Sequence, residues 1–154
     1  MTLSKTPGLI KKFCRTTWKF QVTFGTPLKN LDSFVSTILA DDGGFEKGSV
    51  TIDAVIFEPK NLKSILAANS LPAEYGHDWS IAVEGKTQVR ELLRAALSDW
   101  VDFAFVPMPK PFVIYADHDE YTIFYANTKS NLNRAVQPLF AAGFEQISDY
   151  QRQL

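Results

Sequence analysis

The sequence predicts a single α+β domain, with a mixed or mostly antiparallel sheet and amphipathic helices packed mainly on one face. The chain has 154 residues, which is enough for one hydrophobic core and too few for two ordinary domains. Its composition, 45% hydrophobic and 21% charged residues, is typical of a folded chain. Segments that alternate with the period of a strand are interleaved with segments at helical spacing, and we find no internal repeat.

The first predicted strand follows from a strict alternation that starts at Cys14, and we place the strand over Arg15 to Phe24. Large apolar side chains fall on one of its faces and polar, partly basic side chains on the other, as in a half-buried strand. The apolar set is Cys14, Trp18, Phe20, Val22 and Phe24, and the polar set is Arg15, Thr17, Lys19, Gln21 and Thr23. Residues 1–12 precede this strand and could be flexible.

Helices and strands then alternate along the chain. Thr26 and Pro27 form a helix start, and the helix should stop before Gly43 and Gly44. Gly48 opens a strand of alternating β-branched residues, and Pro59 ends that strand and begins the next helix. The four elements are predicted over residues 28–40, 50–57, 59–69 and 79–84.

The segment after Lys86 allows two interpretations. Apolar residues repeat at three and four up to Ala104, which favours one long helix. The alternative is a helix to Ser98 followed by a strand from Val101 to Val106, because valine and phenylalanine also favour strands. Either element must end before the proline-rich segment that starts at Pro107.

The last third of the chain predicts a hairpin, a helix and a final strand. Residues 112–116 and 121–126 are two β-rich runs separated by a four-residue turn. Thr128 is a helix cap and Gly143 a helix end, and Pro138 should bend the helix between them or end its regular part. The final strand is predicted over Phe144 to Tyr150. The residues expected in the core are Trp18, Phe20, Phe24, Leu31, Val35, Ile52, Leu93, Leu97 and Leu139.

Charge is unevenly distributed along the chain. Residues 1–31 carry six basic side chains and no acidic one, whereas the remainder carries 10 basic and 17 acidic side chains. The net charge of −1 argues against a protein that coats nucleic acid. We expect Arg15 and Lys19 to form an exposed basic surface that steers an acidic protein partner, or a second copy in a homodimer. The apolar centre of such a dimer would be the aromatic hairpin or the segment from Phe103 to Met108.

Targeting signals are not apparent, and the sequence contains one cysteine. No apolar run approaches the roughly 18 residues of a membrane span, and the first 15 residues contain no apolar stretch of a secretion signal. We therefore expect a cytoplasmic protein that does not contact the membrane. Cys14 excludes an intramolecular disulfide and is expected to be a small buried hydrophobe rather than a nucleophile.

Known catalytic and cofactor motifs are incomplete in this sequence. Gly85-Lys86-Thr87 resembles the end of a phosphate-binding loop, but the first glycine of that motif would fall on Ser80. We expect no cofactor and no metal.

The strongest candidates for chemistry are the two histidines. His118 lies at the hairpin tip among Asp117, Asp119 and Glu120, where carboxylates could orient an imidazole for acid-base work or ligate a divalent cation. His77 lies in the turn before Trp79. A solvated turn is the favoured interpretation of the tip, because aspartate is common in turns and adjacent residues rarely converge on one metal.

The hairpin itself is unusually aromatic, with Tyr115, Tyr121 and Tyr125. One of its faces must be core, and the other is either an exposed interface or is covered by a further element. The sequence therefore predicts a non-enzymatic protein-binding or inhibitor-like (immunity-type) module. The alternative is a small enzyme or a ligand- or metal-binding domain that uses residues 117–120.

Overall fold

A computed structural model describes residues 1–40 and 44–148 of the chain. Helices and strands alternate through most of this part, and a 3₁₀ turn over Leu28–Asn30 precedes the second helix. The strands are β1 Thr2–Lys5, β2 Phe20–Gly25, β3 Lys47–Ala54, β4 Trp79–Glu84, β5 Asp102–Met108, β6 Val113–Ala116 and β7 Tyr121–Ala126. The helices are α1 Leu9–Arg15, α2 Leu31–Ile38, α3 Lys60–Ala68, α4 Lys86–Ser98 and α5 Lys129–Ala141.

The seven strands of the described part form one open sheet in the order β1-β4-β3-β5-β6-β7-β2. Every neighbouring pair is antiparallel, and β1 and β2 are the two edge strands. The predicted α+β class with a mostly antiparallel sheet is therefore confirmed.

One face of the sheet carries α2, α3, α4 and α5 and contains the main core. Alternate residues of the central strands, such as Ile52, Phe103 and Phe124, pack there against the apolar stripes of the helices. A Cβ atom at Gly48 would lie 3.1 Å from the Phe105 ring and 3.3 Å from a Val89 methyl group. Glycine at this position thus lets α4 lie close to β3.

The opposite face is covered only in part, by α1 and the segment that follows it. Its buried cluster consists of Val113, Tyr115, Ile123 and Tyr125, with Phe13 and Trp18 packed over them. The helices are therefore mainly on one face, as predicted, and α1 is the exception.

The predicted first strand is too long at its N-terminal end. Residues up to Arg15 form α1, and only residues from Phe20 onward pair with β7. Cys14 and Trp18 consequently do not share a strand with Phe24. Residues 1–12, expected to be flexible, contain β1 and the start of α1, and β1 pairs with β4.

The later elements agree more closely with the sequence. The ambiguous segment after Lys86 is a helix to Ser98 followed by β5, so the long-helix interpretation is wrong. The side chain of Thr128 accepts a hydrogen bond from the Asn131 N–H, as expected of a helix cap. The final strand is reduced to a bridge between Phe24 and Gln146, and residues 149–150 of that prediction lie outside the described part.

Most of the predicted core is buried, and the exceptions are at the edges. Trp18 and Leu31 are half-buried and Phe20 is 37% exposed, because Phe20 begins the edge strand β2. The six other predicted core residues, Phe24, Val35, Ile52, Leu93, Leu97 and Leu139, are buried. The segment from Phe103 to Met108 is a central strand, and Met108 is its only exposed residue, so it cannot be the apolar centre of a dimer.

Candidate binding surface

Helix α1 is held on the sheet by a carboxylate from the chain segment that enters β4. Asp78 is buried and accepts hydrogen bonds from the backbone N–H groups of Gly8 (2.7 Å) and Ile10 (3.0 Å). These groups belong to the first turn of α1, where backbone N–H groups have no partner within the helix. Asp78 thus supplies the side-chain cap that the N-cap residue Gly8 cannot provide.

The same contacts shift the ionisation of this carboxyl. The Ile10 N–H lowers the pKa of Asp78 below its ordinary value of 3.8, and the Gly8 N–H and the charges of His77 and Lys5 act in the same direction. Burial opposes them. Asp78 is therefore ionised at neutral pH and stabilises the start of α1 as a charged acceptor.

An aromatic layer fills the space between α1 and the hairpin. The Phe13 ring stacks on Tyr115 with the ring centres 6.3 Å apart and meets Tyr125 edge-on at 6.5 Å. Trp18 lies 6.3 Å from Tyr125 and 6.1 Å from Phe13. These contacts fix the segment from α1 to β2 over β6 and β7.

This aromatic layer covers two of the hairpin tyrosines that were predicted to form an exposed interface. Tyr115 is fully buried and Tyr125 is 3% exposed, so the expectation that they form an exposed surface is wrong. The hairpin is covered on both faces, so the alternative prediction, that a further element covers its second face, is confirmed. Tyr121 is half-buried at the start of β7.

The outer side of α1 is basic. Lys11, Lys12 and Arg15 are exposed on the helix, and Lys19 is exposed just before β2. We call these four residues the basic face. None of them forms an ion pair with any residue in the ranges 1–40 and 44–148. Arg15 and Lys19, predicted as interface residues, are exposed, and their role at an interface stays a prediction.

His77 belongs to a polar group beside the N-terminal end of α1. Its Nδ1 lies 2.8 Å from the backbone oxygen of Asp53, and its Nε2 lies 3.5 Å from a carboxylate oxygen of Asp78. The hydroxyl of the buried Tyr115 donates a hydrogen bond to the Asp53 carboxylate. The His77 side chain is largely exposed, whereas its two carboxylate neighbours are engaged by the fold.

At the hairpin tip the acidic side chains do not converge. Asp117 is buried and accepts hydrogen bonds from the backbone N–H groups of Asp119 and Tyr121, as an aspartate does in a turn. Asp119 is exposed, and its Oδ1 lies 3.7 Å from Nε2 of His118. Glu120 is exposed and adopts a left-handed backbone conformation (φ 71°). The tip is built as a turn.

His118 is paired with a residue that sequence reasoning did not select. Asp102, at the start of β5, accepts hydrogen bonds from the His118 backbone N–H (2.7 Å) and contacts its Nδ1 (2.8 Å). The hydrogen bond to Asp102 raises the pKa of His118 above its ordinary value of 6.5, and the charges of Asp102, Asp119 and Asp117 add to this effect against burial. A His118 held in this way can give up or accept a proton at Nε2.

Buried aspartates therefore serve mainly as acceptors for backbone N–H groups. Asp99 repeats at α3 what Asp78 does at α1, since it accepts from the N–H groups of Asn61 (3.1 Å) and Leu62 (2.8 Å). Across the described ranges, no three His, Cys, Asp or Glu side chains are grouped as metal ligands. His77 and His118 each have their own aspartate partner, and no contact joins the two histidines.

The remaining residues considered in the sequence analysis, Gly85 and Cys14, have positions explained by the fold. Gly85 has a positive φ of 101° at the junction of β4 and α4, which is a conformation that favours glycine. The three residues before it, Ala82 to Glu84, belong to β4 and do not form a phosphate-binding loop. Cys14 is half-buried on α1 rather than on a strand.

Comparisons with known proteins give no relative for this arrangement. No protein-family model, curated protein or solved structure matches the chain. Within the described residues, no helix is both long and apolar enough to cross a membrane.

Proposed function

We propose that this chain is a non-enzymatic protein-binding module that docks an acidic partner on the basic face of α1. One observation carries the proposal. Lys11, Lys12, Arg15 and Lys19 are exposed together on α1 and the segment after it, and no described carboxylate neutralises them. A surface of one sign attracts a partner of the opposite sign and raises the rate of encounter.

The basic face is distinguished by the close spacing of its cations. Elsewhere Lys47, Lys63 and Arg94 lie beside a glutamate or an aspartate. Lys29, Lys60 and Lys129 are exposed without an ion pair to a described residue, and they lie far apart in the sequence. Exposed ion pairs contribute less than about 1 kcal/mol each, so leaving four cations unpaired costs the fold little. Three of them lie on the seven-residue helix α1 and Lys19 lies four residues after its end, and this clustering favours a role in recognition.

A protein is favoured over nucleic acid because the aromatic rings near these cations are already occupied. Proteins that bind single strands stack bases on accessible aromatic side chains. Here Phe13 and Trp18 pack on Tyr115 and Tyr125. The chain outside residues 1–31 is also acidic, which repels a polyanion.

The test compares charge reversal on the basic face with the same reversal elsewhere. Lys11→Glu, Arg15→Glu and Lys19→Glu are combined in one variant, and Lys29→Glu, Lys60→Glu and Lys129→Glu in a matched control. Cross-linking in cells of the source organism, followed by mass spectrometry, should recover a stoichiometric acidic protein with the wild type and the control only. If both charge-reversal variants recover the acidic protein equally, the proposal is contradicted. If recovery is lost after nuclease treatment, nucleic acid is the partner instead of a protein.

A second copy of the chain is the simplest acidic partner, because residues 32–154 carry a net negative charge. Light scattering at micromolar concentration should then give a dimer mass at low salt and a monomer mass at high salt. A monomer under both conditions excludes the homodimer and leaves a different acidic protein as the partner.

The competing function is acid-base chemistry at His118. It is favoured by the Asp102 contact, which orients the imidazole and leaves Nε2 beside the half-exposed turn. For catalysis, the hairpin tip would also need side chains that hold a substrate or a metal next to His118, and the turn residues do not form such a set. Metal analysis of the purified protein tests the metal-binding form of this function: stoichiometric zinc or manganese that is lost in His118→Ala would support it over the binding module.

A further inference from the structure

A cleft of about 280 Å³ lies between α1 and the sheet, next to the basic face. Its floor is formed by Ala104, Val106 and Val113 of the central strands, and Ser49 and Thr51 border them on β3. Phe13 and Trp18 are among the residues of its wall. This volume is just below the range of about 300–1,000 Å³ for sites of drug-sized molecules, so the cleft suits a small ligand.

The cleft exists because side chains on this part of the sheet are small. On the opposite face the same strands contribute phenylalanine, valine and isoleucine to the core. Beneath α1, the pairing register aligns Ser80, Thr51 and Ala104 across three strands, and Tyr115 follows on β6. Since α1 packs on the larger side chains of β6 and β7, a space remains over β3 and β5.

The polar groups of the cleft are of two kinds. Thr51 is satisfied by a hydrogen bond to Ser80 (2.7 Å), whereas the Ser49 hydroxyl has no partner among the described residues. Lys12 of α1 and Lys110 after β5 are exposed and also line the cleft. Neither lysine forms an ion pair within the described ranges.

We propose that this cleft binds a small amphipathic monocarboxylate, with its apolar tail on Ala104, Val106 and Val113 and its carboxylate between Lys12 and Lys110. Apolar burial supplies the affinity, and the two ammonium groups select an anion over a neutral molecule of the same shape. The Ser49 hydroxyl is an additional donor along the path of the ligand. The cleft shares Lys12 with the basic face, but it lies beneath the helix, and binding of a small carboxylate requires no protein partner.

The probe is octanoate, titrated into the full chain by calorimetry, with octanol and octylammonium as matched controls of the same chain length. We expect octanoate to bind at least about tenfold more tightly than octanol, which corresponds to about 1.4 kcal/mol. Octylammonium should bind more weakly than either. Equal affinities for octanoate and octanol overturn the role of the lysines, and absence of octanoate binding at millimolar concentration overturns the site.

Two pairs of variants locate the ligand. Lys12→Gln with Lys110→Gln should weaken octanoate about tenfold, whereas Lys29→Gln with Lys129→Gln should leave its affinity unchanged. Ser49→Leu should abolish binding by filling the cleft, and Ser49→Ala should retain it. Unchanged octanoate affinity in both Ser49→Leu and the Lys12/Lys110 double variant contradicts the proposal.

Nuclear magnetic resonance of the wild type makes the result independent of whether Ser49→Leu folds. The methyl groups of Val106 and Val113 should shift on octanoate addition, while those of Leu62 and Leu93 in the main core should not. Shifts confined to residues outside the cleft overturn the proposal. Because no protein partner is present, this outcome and the outcome of the cross-linking test are independent.

Discussion

The two faces of the sheet are filled in different ways. The helix-bearing face is packed by four helices around large aliphatic and aromatic side chains, whereas the α1 face has one seven-residue helix over a small aromatic cluster. Beside that cluster the second face retains a cleft and exposed cations. We infer that the helix-bearing face carries most of the stability of the fold, and we propose that the α1 face carries recognition.

The two faces also differ in how their helices are attached. The helices of the main core bury apolar stripes, such as Val89, Leu92 and Leu93 of α4. Helix α1 has one buried residue, Ile10, and its first turn is capped by the Asp78 carboxylate. Segments with few buried contacts open locally at a lower free energy than the core. We therefore expect α1 to open without unfolding of the sheet.

The largest difference between the faces should be seen in core truncations. Leu93→Ala removes a fully buried side chain from the helix face, and we expect a loss of about 2–5 kcal/mol in the free energy of unfolding. Val106→Ala borders the cleft and should cost less than about 1.5 kcal/mol, because Val106 is half-buried. Urea denaturation measures both values, and equal losses would contradict the assignment of stability to one face.

The two capping aspartates provide the next comparison. Asp99→Ala and Asp78→Ala each remove a buried acceptor from two backbone N–H groups, and each should cost about 1–3 kcal/mol where the helix is part of the cooperative unit. We expect the full cost for Asp99→Ala, because α3 belongs to the main core.

For Asp78→Ala we expect a smaller loss of global stability, together with faster amide exchange in residues 9–15. Circular dichroism during urea denaturation and hydrogen exchange by mass spectrometry distinguish the two effects. A global loss as large as that of Asp99→Ala would mean that α1 unfolds together with the sheet.

The pH dependence of the hairpin tip is a smaller effect. The pKa of His118 is raised by Asp102 in the folded state, so the pairing adds stability fully below pH 6.5 and loses it as the pH rises through the folded pKa. Wild-type stability should therefore fall between neutral and mildly basic pH more than that of His118→Gln. Urea midpoints of both proteins across this pH range test the prediction. If the stability of the wild type relative to His118→Gln rises with pH, the prediction is contradicted.

The smallest effect on stability is expected at the basic face. Arg15→Gln and Lys19→Gln should each change the free energy of unfolding by less than about 0.5 kcal/mol, because both side chains are exposed and form no ion pair with residues 1–40 or 44–148. Thermal denaturation measures this change. A loss of more than about 1 kcal/mol would show that these side chains stabilise the fold, and it would remove the contrast on which the binding proposal rests.

The parts of the fold set by local pattern could be predicted from the sequence. The strand Trp79–Glu84, the hairpin of β6 and β7 and the cap at Thr128 depend on side chains within a few residues of each other. Helix α1 was missed because its cap, Asp78, is 68 residues from Ile10 in the chain. The alternation that begins at Cys14 corresponds to a strand only from Phe20 onward. Leu9, Ile10 and Phe13 have helical spacing, and this signal could have predicted α1.

The candidate site could be predicted less well than the fold. The basic side chains were identifiable, because six of them fall in residues 1–31 without an acidic neighbour. The cleft was not, since Ser49, Ala104 and Val113 come from three strands that only the sheet order brings together. The partners of His77 and His118 were missed for the same reason, because Asp53 and Asp102 are 24 and 16 residues away.

The most direct test of the two-face account is native-state hydrogen exchange of α1 and α4 in the wild-type chain, with and without octanoate. We predict that amides of residues 9–15 exchange through local opening, at a free energy well below that of residues 86–98, and that octanoate slows exchange in α1 while leaving α4 unchanged. Exchange of both helices at the same free energy, with no response of α1 to octanoate, would contradict the account.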